Sequence, residues 1–146
     1  MCWEHAVQLR DVILPANKVL FVGVGSLQAV EEFSSQLDIN PSLCFADEGG
    51  VAGDTLGLEK GLNTMWNPPA VDNMMARNDE KSLKALGEAY KAAVDNIGFK
   101  KLAPEDLKDT LRQGGTFVFK GNRLLLEHYD QNVGDNCKIE DILQVL

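Results

Sequence analysis

Three cysteines and two histidines are the side chains of this 146-residue chain best suited to nucleophilic or proton-transfer chemistry near neutral pH. Cys2 stands where a helix is expected to begin. The first N–H groups of a helix carry partial positive charge, which lowers a thiol pKa and favours the thiolate. The plain alternative is a small apolar residue on the inner face of that helix. His5, one turn later, can stabilise a thiolate or carry a proton, or simply sit exposed on the helix. Trp3 can wall a thiol pocket and touch substrate, or belong to the core. Cys44, between Leu43 and Phe45, reads as a buried thiol made inert by apolar surroundings. Cys137, in Gly134-Asp-Asn-Cys137, reads as exposed and oxidisable.

Gly114-Gly115 precede an apolar run. Two glycines let the backbone approach a ligand closely or adopt positive φ, and they also suit the start of a hairpin. His128 can face the same end of the molecule or be a satisfied strand histidine. No Cys/His spacing matches a zinc site, so neither a metal nor an organic cofactor is expected. Gly23-Val-Gly25-Ser26 lacks the lysine and the third glycine of a phosphate loop. No Gly-x-Ser-x-Gly elbow supports hydrolase chemistry. Glu31-Glu32 and Asp47-Glu48 are read as solvated surface. Trp66, Met74 and Met75 lie in an irregular apolar segment. They are the candidates for partner contact, with packing on their own domain as the alternative.

The elements that must position these groups follow from periodicity and breakers. Cys2, Ala6, Leu9 and Ile13 share one face of a helix over 2–14, stopped at Pro15 with Asn17 turning the chain. Lys18–Val24 is a continuous β-branched run, which predicts a strand covered on both faces. Ser26 caps a helix over 27–37 with Leu27, Val30, Phe33 and Leu37 inward. Asn40-Pro41 breaks the chain before a strand over 42–47. A short helix is expected around 52–58, then a loop at Asn67-Pro68-Pro69. Asp79 caps a long helix over 80–96 with Leu83, Leu86, Tyr90, Val94 and Ile97 on one side, and Gly98 ends it. Pro104 opens a short helix to Leu111. Strands over 116–120 and 123–130 pair across Gly121-Asn122. A last helix over 138–146 presents Ile139, Ile142, Leu143 and Leu146. The order predicts an α/β domain with right-handed crossovers.

The length fits one domain spanning 1–146. Hydrophobic residues are 45% and charged residues 25%, enough to build a core without disulfides. Fourteen Lys and Arg against 22 Asp and Glu leave a net charge of −8, which opposes nucleic-acid and anionic-membrane binding. No apolar run reaches the roughly 20 residues of a membrane span. No secretory signal or targeting segment is visible.

Gln113-Gly-Gly-Thr-Phe-Val-Phe-Lys-Gly-Asn-Arg-Leu-Leu-Leu-Glu-His-Tyr-Asp130, with Gly134-Asp135 and an apolar helix after it, resembles the peroxiredoxin-like thioredoxin-fold proteins. These are alkyl hydroperoxide reductase/thiol-specific antioxidant relatives and include prostamide/prostaglandin F synthase. Cys2-Trp-Glu-His-Ala-Val-Gln-Leu-Arg10 is similar to their stretch from the second cysteine of C-x-x-C into the first helix. VLFVGVGS, CFADEGGVAGDTLGLEKG and MWNPPA are similar to plant and algal members, many of them plastid proteins. The resemblance implies a thioredoxin-like mixed sheet with a C-terminal hairpin and a helical insertion at about 58–112. It implies a peroxide- or disulfide-reducing thiol oxidoreductase, a thioredoxin-type electron donor and a chloroplast location. Gly114-Gly115 occupy the place of the thioredoxin cis-proline beside the active site.

In the implied cycle the first cysteine attacks and the second resolves. Cys2 matches the second. The first cysteine and the opening central strand of the pattern are not in this sequence. An upstream segment, a strand from a partner chain and a rearranged sheet all answer to that difference, with the first expected. Alone, Cys2 can pass to sulfenic acid. The alternative is a non-catalytic thioredoxin-fold structural or docking subunit of a larger assembly, such as a photosynthetic one.

Overall fold

The structure, a computed structural model, describes residues 2–14, 18–60, 79–102, 111–131 and 134–146, with Cys2 described by its backbone alone. Pro15, Asn17, the 61–78 segment with Trp66, Met74 and Met75, and the expected helix after Pro104 lie outside the described residues.

Helix α1 spans Cys2–Gln8 and runs on as a π-helical stretch, Leu9–Ile13, closed by Leu14 N–H donating to Leu9 O at 2.9 Å. The wider turn rotates the apolar stripe that sequence places on one face. Ala6 therefore packs with Leu37, Ile39, Phe21 and Cys44, whereas Leu9 and Ile13 pack with Cys137, Ile142, Val118 and Leu126. One helix thus bridges two cores.

Strands β1 (Phe21–Gly23) and β2 (Cys44–Ala46) pair in parallel, Phe21 opposite Cys44 and Gly23 opposite Ala46. Helix α2 (Leu27–Gln36) connects them. Ser26 Oγ accepts from Ala29 N–H at 3.3 Å, as its capping role requires. The pair is not covered on both faces. Leu20, Val22 and Phe45 are exposed, Val22 by 58%, because no described helix packs on that side. Leu27 is likewise exposed, and Ala29, Val30 and Ser34 are the buried residues of α2.

Helix α3 (Val51–Leu56) starts on the Asp47 carboxylate, which accepts from the N–H groups of Val51, Ala52 and Gly53. So Asp47 is a helix cap as well as a surface acid. Helix α4 (Glu80–Ile97) begins at Asp79, whose carboxylate accepts from Ser82 N–H at 2.7 Å, and ends at Gly98, with φ 83°. That hydrogen bond holds the Asp79 carboxyl below its ordinary pKa. Leu86 and Ala89 of α4 pack on the first core. A short turn, α5 (Phe99–Leu102), follows.

Strands β3 (Gly115–Lys120) and β4 (Arg123–Tyr129) form an antiparallel hairpin across Gly121-Asn122, with a bulge between Val118 and Phe119. Helix α6 (Ile139–Val145) ends the chain's described elements. Only Ile139 and Ile142 of its expected apolar face reach the core. Leu143 and Leu146 point outward, 50% and 48% exposed. The two strand pairs remain separate sheets, β1-β2 and β3-β4, so one continuous mixed sheet is not present among the described residues. Mixed helix and strand content in small sheets fits an α/β thioredoxin-like family. Among the described residues no helix is long and apolar enough to cross a membrane.

Candidate functional site

The hairpin carries the site. Its bulge sets Thr116 opposite His128, and Asp130 N–H donates to Gly114 O at 3.1 Å. Side chains alternate across a strand, so positions 114, 116, 128 and 130 share one face. Helix α1 reaches that face through His5. His5 Nε2 is 3.4 Å from Thr116 Oγ1, which joins the first turns of α1 to the residue after Gly114-Gly115.

The structure therefore brings His5 to the face that carries Gly114 and His128, whereas Gly115 is turned to the other face, toward Leu58. Trp3 lies elsewhere. Its ring packs edge-on against Phe33 at 5.6 Å and Tyr90 at 5.3 Å, joining α1 to α2 and α4. Cys137 is buried with Ile13 and Ile142, not exposed as its loop context suggests, because the segment before α6 folds into the second core. Burial first, then Asp141, Asp130 and Asp135, push its thiol pKa up. Cys44 is half-buried, and burial raises its thiol too. Neither thiol is favoured as thiolate.

Neither glycine of the pair uses positive φ. What they supply is space, and neighbours fill it. A Cβ on Gly114 would stand 2.7 Å from Asp130 Oδ2. A Cβ on Gly115 would stand 2.9 Å from the backbone oxygen of His128 and 3.0 Å from Leu58 Cδ2. Gly115→Ala is therefore expected to lower stability by about 1–3 kcal/mol, since a cross-strand carbonyl cannot step aside. Urea unfolding measures this, and an unchanged midpoint would contradict the packing account.

Sequence reading missed Asp130. Its side chain is 12% exposed, and Oδ1 is buried without a hydrogen-bond donor. His128 Nε2 lies 3.4 Å from Oδ1, but that nitrogen is engaged with Asp135 O at 2.7 Å. A carbonyl only accepts, so Nε2 carries the proton. Oδ1 thus lies beside the imidazole without a directed bond. Burial pushes the Asp130 carboxyl up to about 6, with Asp135 adding and His128 and the Gly114 N–H opposing. Glu4 was missed as well. It is buried in the first turn of α1, and its Oε1 accepts from Gln8 Nε2. Among the described residues no group of His, Cys, Asp and Glu converges as a metal set.

A raised carboxyl pKa has a defined effect on stability. The folded state holds the Asp130 proton more tightly than the unfolded chain. Its neutral form is thus favoured below the unfolded value near 4, and that advantage is lost as pH rises to about 6. Relative to Asp130→Asn, the natural chain is expected to lose about 3 kcal/mol between these limits. Chemical denaturation of both chains across pH 4 to 7 tests this. A pH-independent difference would contradict it.

A model of the AhpC/TSA antioxidant enzyme family matches residues 11–132 of the chain. The chain belongs to that family. No curated protein and no solved structure matches it. Cys2 and His5 precede the matched stretch of this AhpC/TSA chain, whereas Gly114, Gly115, Thr116, His128 and Asp130 fall within it. Membership makes the function peroxiredoxin-like, that of an antioxidant or thiol oxidoreductase.

Proposed function

We propose that this AhpC/TSA chain reduces hydroperoxides or disulfides through Cys2, with His5 assisting the thiol. The observation that carries the reading is the contact of His5 with Thr116, because it sets the beginning of α1 beside Gly114-Gly115. Cys2 is the thiol of α1, and the raised pKa values of Cys44 and Cys137 disfavour the other two as nucleophiles. In the fuller form of this reading, a strand between β1 and β3 and a cysteine preceding Cys2 complete a C-x-x-C enzyme. The edges of the two small sheets, which no described strand pairs, support it. A thioredoxin-type donor regenerates the thiol, and the plant-like segments support a plastid setting.

The test is chemical. The reduced protein is treated with one equivalent of hydrogen peroxide in the presence of a sulfenic-acid trap, then mapped by mass spectrometry. Label on Cys2 supports the reading. Label confined to Cys44 or Cys137, or none, overturns it.

A second reading has its own observation. Leu20, Val22 and Phe45 form an apolar sheet face open to solvent, and such faces mark contact surfaces. It makes the chain a thioredoxin-fold subunit of a larger assembly, such as a photosynthetic one, with Cys2 dispensable.

A further inference from the structure

The end of β4 and the stretch before α6 meet at a seat built from two acids and one imidazole. His128 Nε2 donates to Asp135 O at 2.7 Å, and Gln131 N–H donates to the Asp135 carboxylate at 3.0 Å. The same Nε2 lies 3.4 Å from Asp130 Oδ1 and 4.0 Å from Asp135 Oδ1. One N–H thus faces a carbonyl and two carboxylates, and the carbonyl takes it. Two residues after Asp135, Cys137 is 5% exposed and packs against Ile13 and Ile142. The seat that holds residues 134–138 on the hairpin therefore also shields that thiol.

We propose that this seat is a pH-operated latch: a proton held by the Asp130–His128–Asp135 cluster keeps residues 134–138 closed over Cys137, and its loss releases them and opens the thiol to solvent. Cys2 takes no part in it. In the closed form Asp130 Oδ1 is buried with no hydrogen-bond donor. A buried carboxylate without a donor is costly, and a second carboxylate beside the same imidazole adds repulsion. A proton on Asp130 or on His128 relieves both costs. Opening hydrates Asp130 and separates it from Asp135, so the open form tolerates the anion. Rising pH therefore favours opening. Burial, with Asp135 adding, brings the Asp130 carboxyl to about 6, which sets the range in which the latch works.

The packing favours a local release over a global one. Asn136 Nδ2 is buried with no hydrogen-bond acceptor, so the closed seat carries a second unpaired polar group that opening hydrates. Charged and titratable groups face the cluster from each neighbouring element. β4 supplies His128, and the Gly114 N–H just before β3 steadies the Asp130 anion. Asp135, Cys137 and the exposed Lys138 belong to the seated stretch, and Asp141 of α6 acts on Cys137. From α1, His5 reaches Thr116 on the same hairpin face. Burial, then Asp141, Asp130 and Asp135, hold the Cys137 thiol pKa up while the latch is closed. Release therefore both uncovers Cys137 and lets it ionise.

The test follows the labelling rate of Cys137 by dithiodipyridine, a disulfide reagent that reacts with thiols in acid as well as in neutral solution, with adducts resolved by peptide mass. The natural chain is compared with Asp130→Asn, whose amide cannot ionise, so the pH response of the thiol itself cancels. A carboxyl that titrates near 6 when closed and near 4 when open raises the ratio of the two rates about tenfold from pH 5 to pH 8. A ratio that stays flat overturns the proposal. The urea dependence of the natural chain's rate at pH 7 separates release of the latch from unfolding of the whole chain. A slope well below that of global unfolding supports the latch, and an equal slope overturns it. If Asp130→Asn does not fold, a free peptide of residues 134–140 serves as the thiol reference for the natural chain. The same rise is then expected, and a flat ratio again overturns the proposal.

Discussion

A Cys2→Ser chain is expected to consume hydroperoxide no faster than buffer, a loss of about 10³-fold or more. The reason is chemical. A serine hydroxyl is far weaker as an acid than a thiol and has no two-electron oxidation to a sulfenic state. Cys44→Ser is expected to retain the rate, since Cys44 lies in β2, on the first core, with its pKa raised by burial. Peroxide consumption with a dithiol reductant measures both. Full activity in Cys2→Ser would exclude Cys2 as the reacting thiol, and no activity in the natural chain would leave the subunit reading standing. Loss of activity in Cys44→Ser alone would move the reactive centre to β2.

The largest loss of stability is expected from Ile142→Ala. Ile142 is 2% exposed and packs with Ile13 and Cys137, where α6, the π-helical stretch and the hairpin meet. Removing three methyl or methylene groups from such a site costs about 2–5 kcal/mol, because the lost transfer energy adds to the cavity left behind. For a chain of this size that lowers Tm on the order of 10 °C. Leu143→Ala, one residue away, is expected to change stability by less than about 0.5 kcal/mol, since Leu143 is half exposed. Thermal and urea melts of the two variants decide the point. Equal effects would mean that α6 is rotated from the packing described.

Those neighbours show where sequence reading was sharp and where it was not. Ile139, Ile142, Leu143 and Leu146 fit one helical stripe, and periodicity cannot rank them. The ranking came from the second core, which only part of the stripe reaches. Leu27 failed for the same reason, having apolar character and no partner element above it. The continuous run before Gly23 suggested a strand covered on both sides, yet among the described residues β1 has one open face and one edge without a partner strand. The Cys2–Leu14 stripe was broken by the π-helical turn, which sends Ala6 and Ile13 to different cores.

The hairpin gives the clearest case for the site. A plain two-residue turn at Gly121-Asn122 pairs Lys120 with Arg123 and would continue to Thr116 opposite Glu127. The bulge after Val118 advances the register by one, so Thr116 meets His128 instead. Such a shift moves every later side chain to the other face. Without it His128 and Asp130 would not share a face with Thr116, and His5 would meet a different surface.

Local signals were legible along the chain: Ser26 and Asp79 as caps, Gly98 as a stop, Gly121-Asn122 as the turn, and the thiol and imidazole at the start of α1. These depend on hydrogen bonds and dihedral preferences within a few residues, which sequence order carries directly. Tertiary structure alone decided which half of each stripe is buried, that Cys137 is shielded, that His5 reaches Thr116, and that Asp130 closes on Gly114. Burial and desolvation are set by groups more than a hundred residues apart or across a bulged strand pair. Asp130 shows the difference: its residue type was plain in the chain, but its raised pKa exists only where the fold takes water away from it.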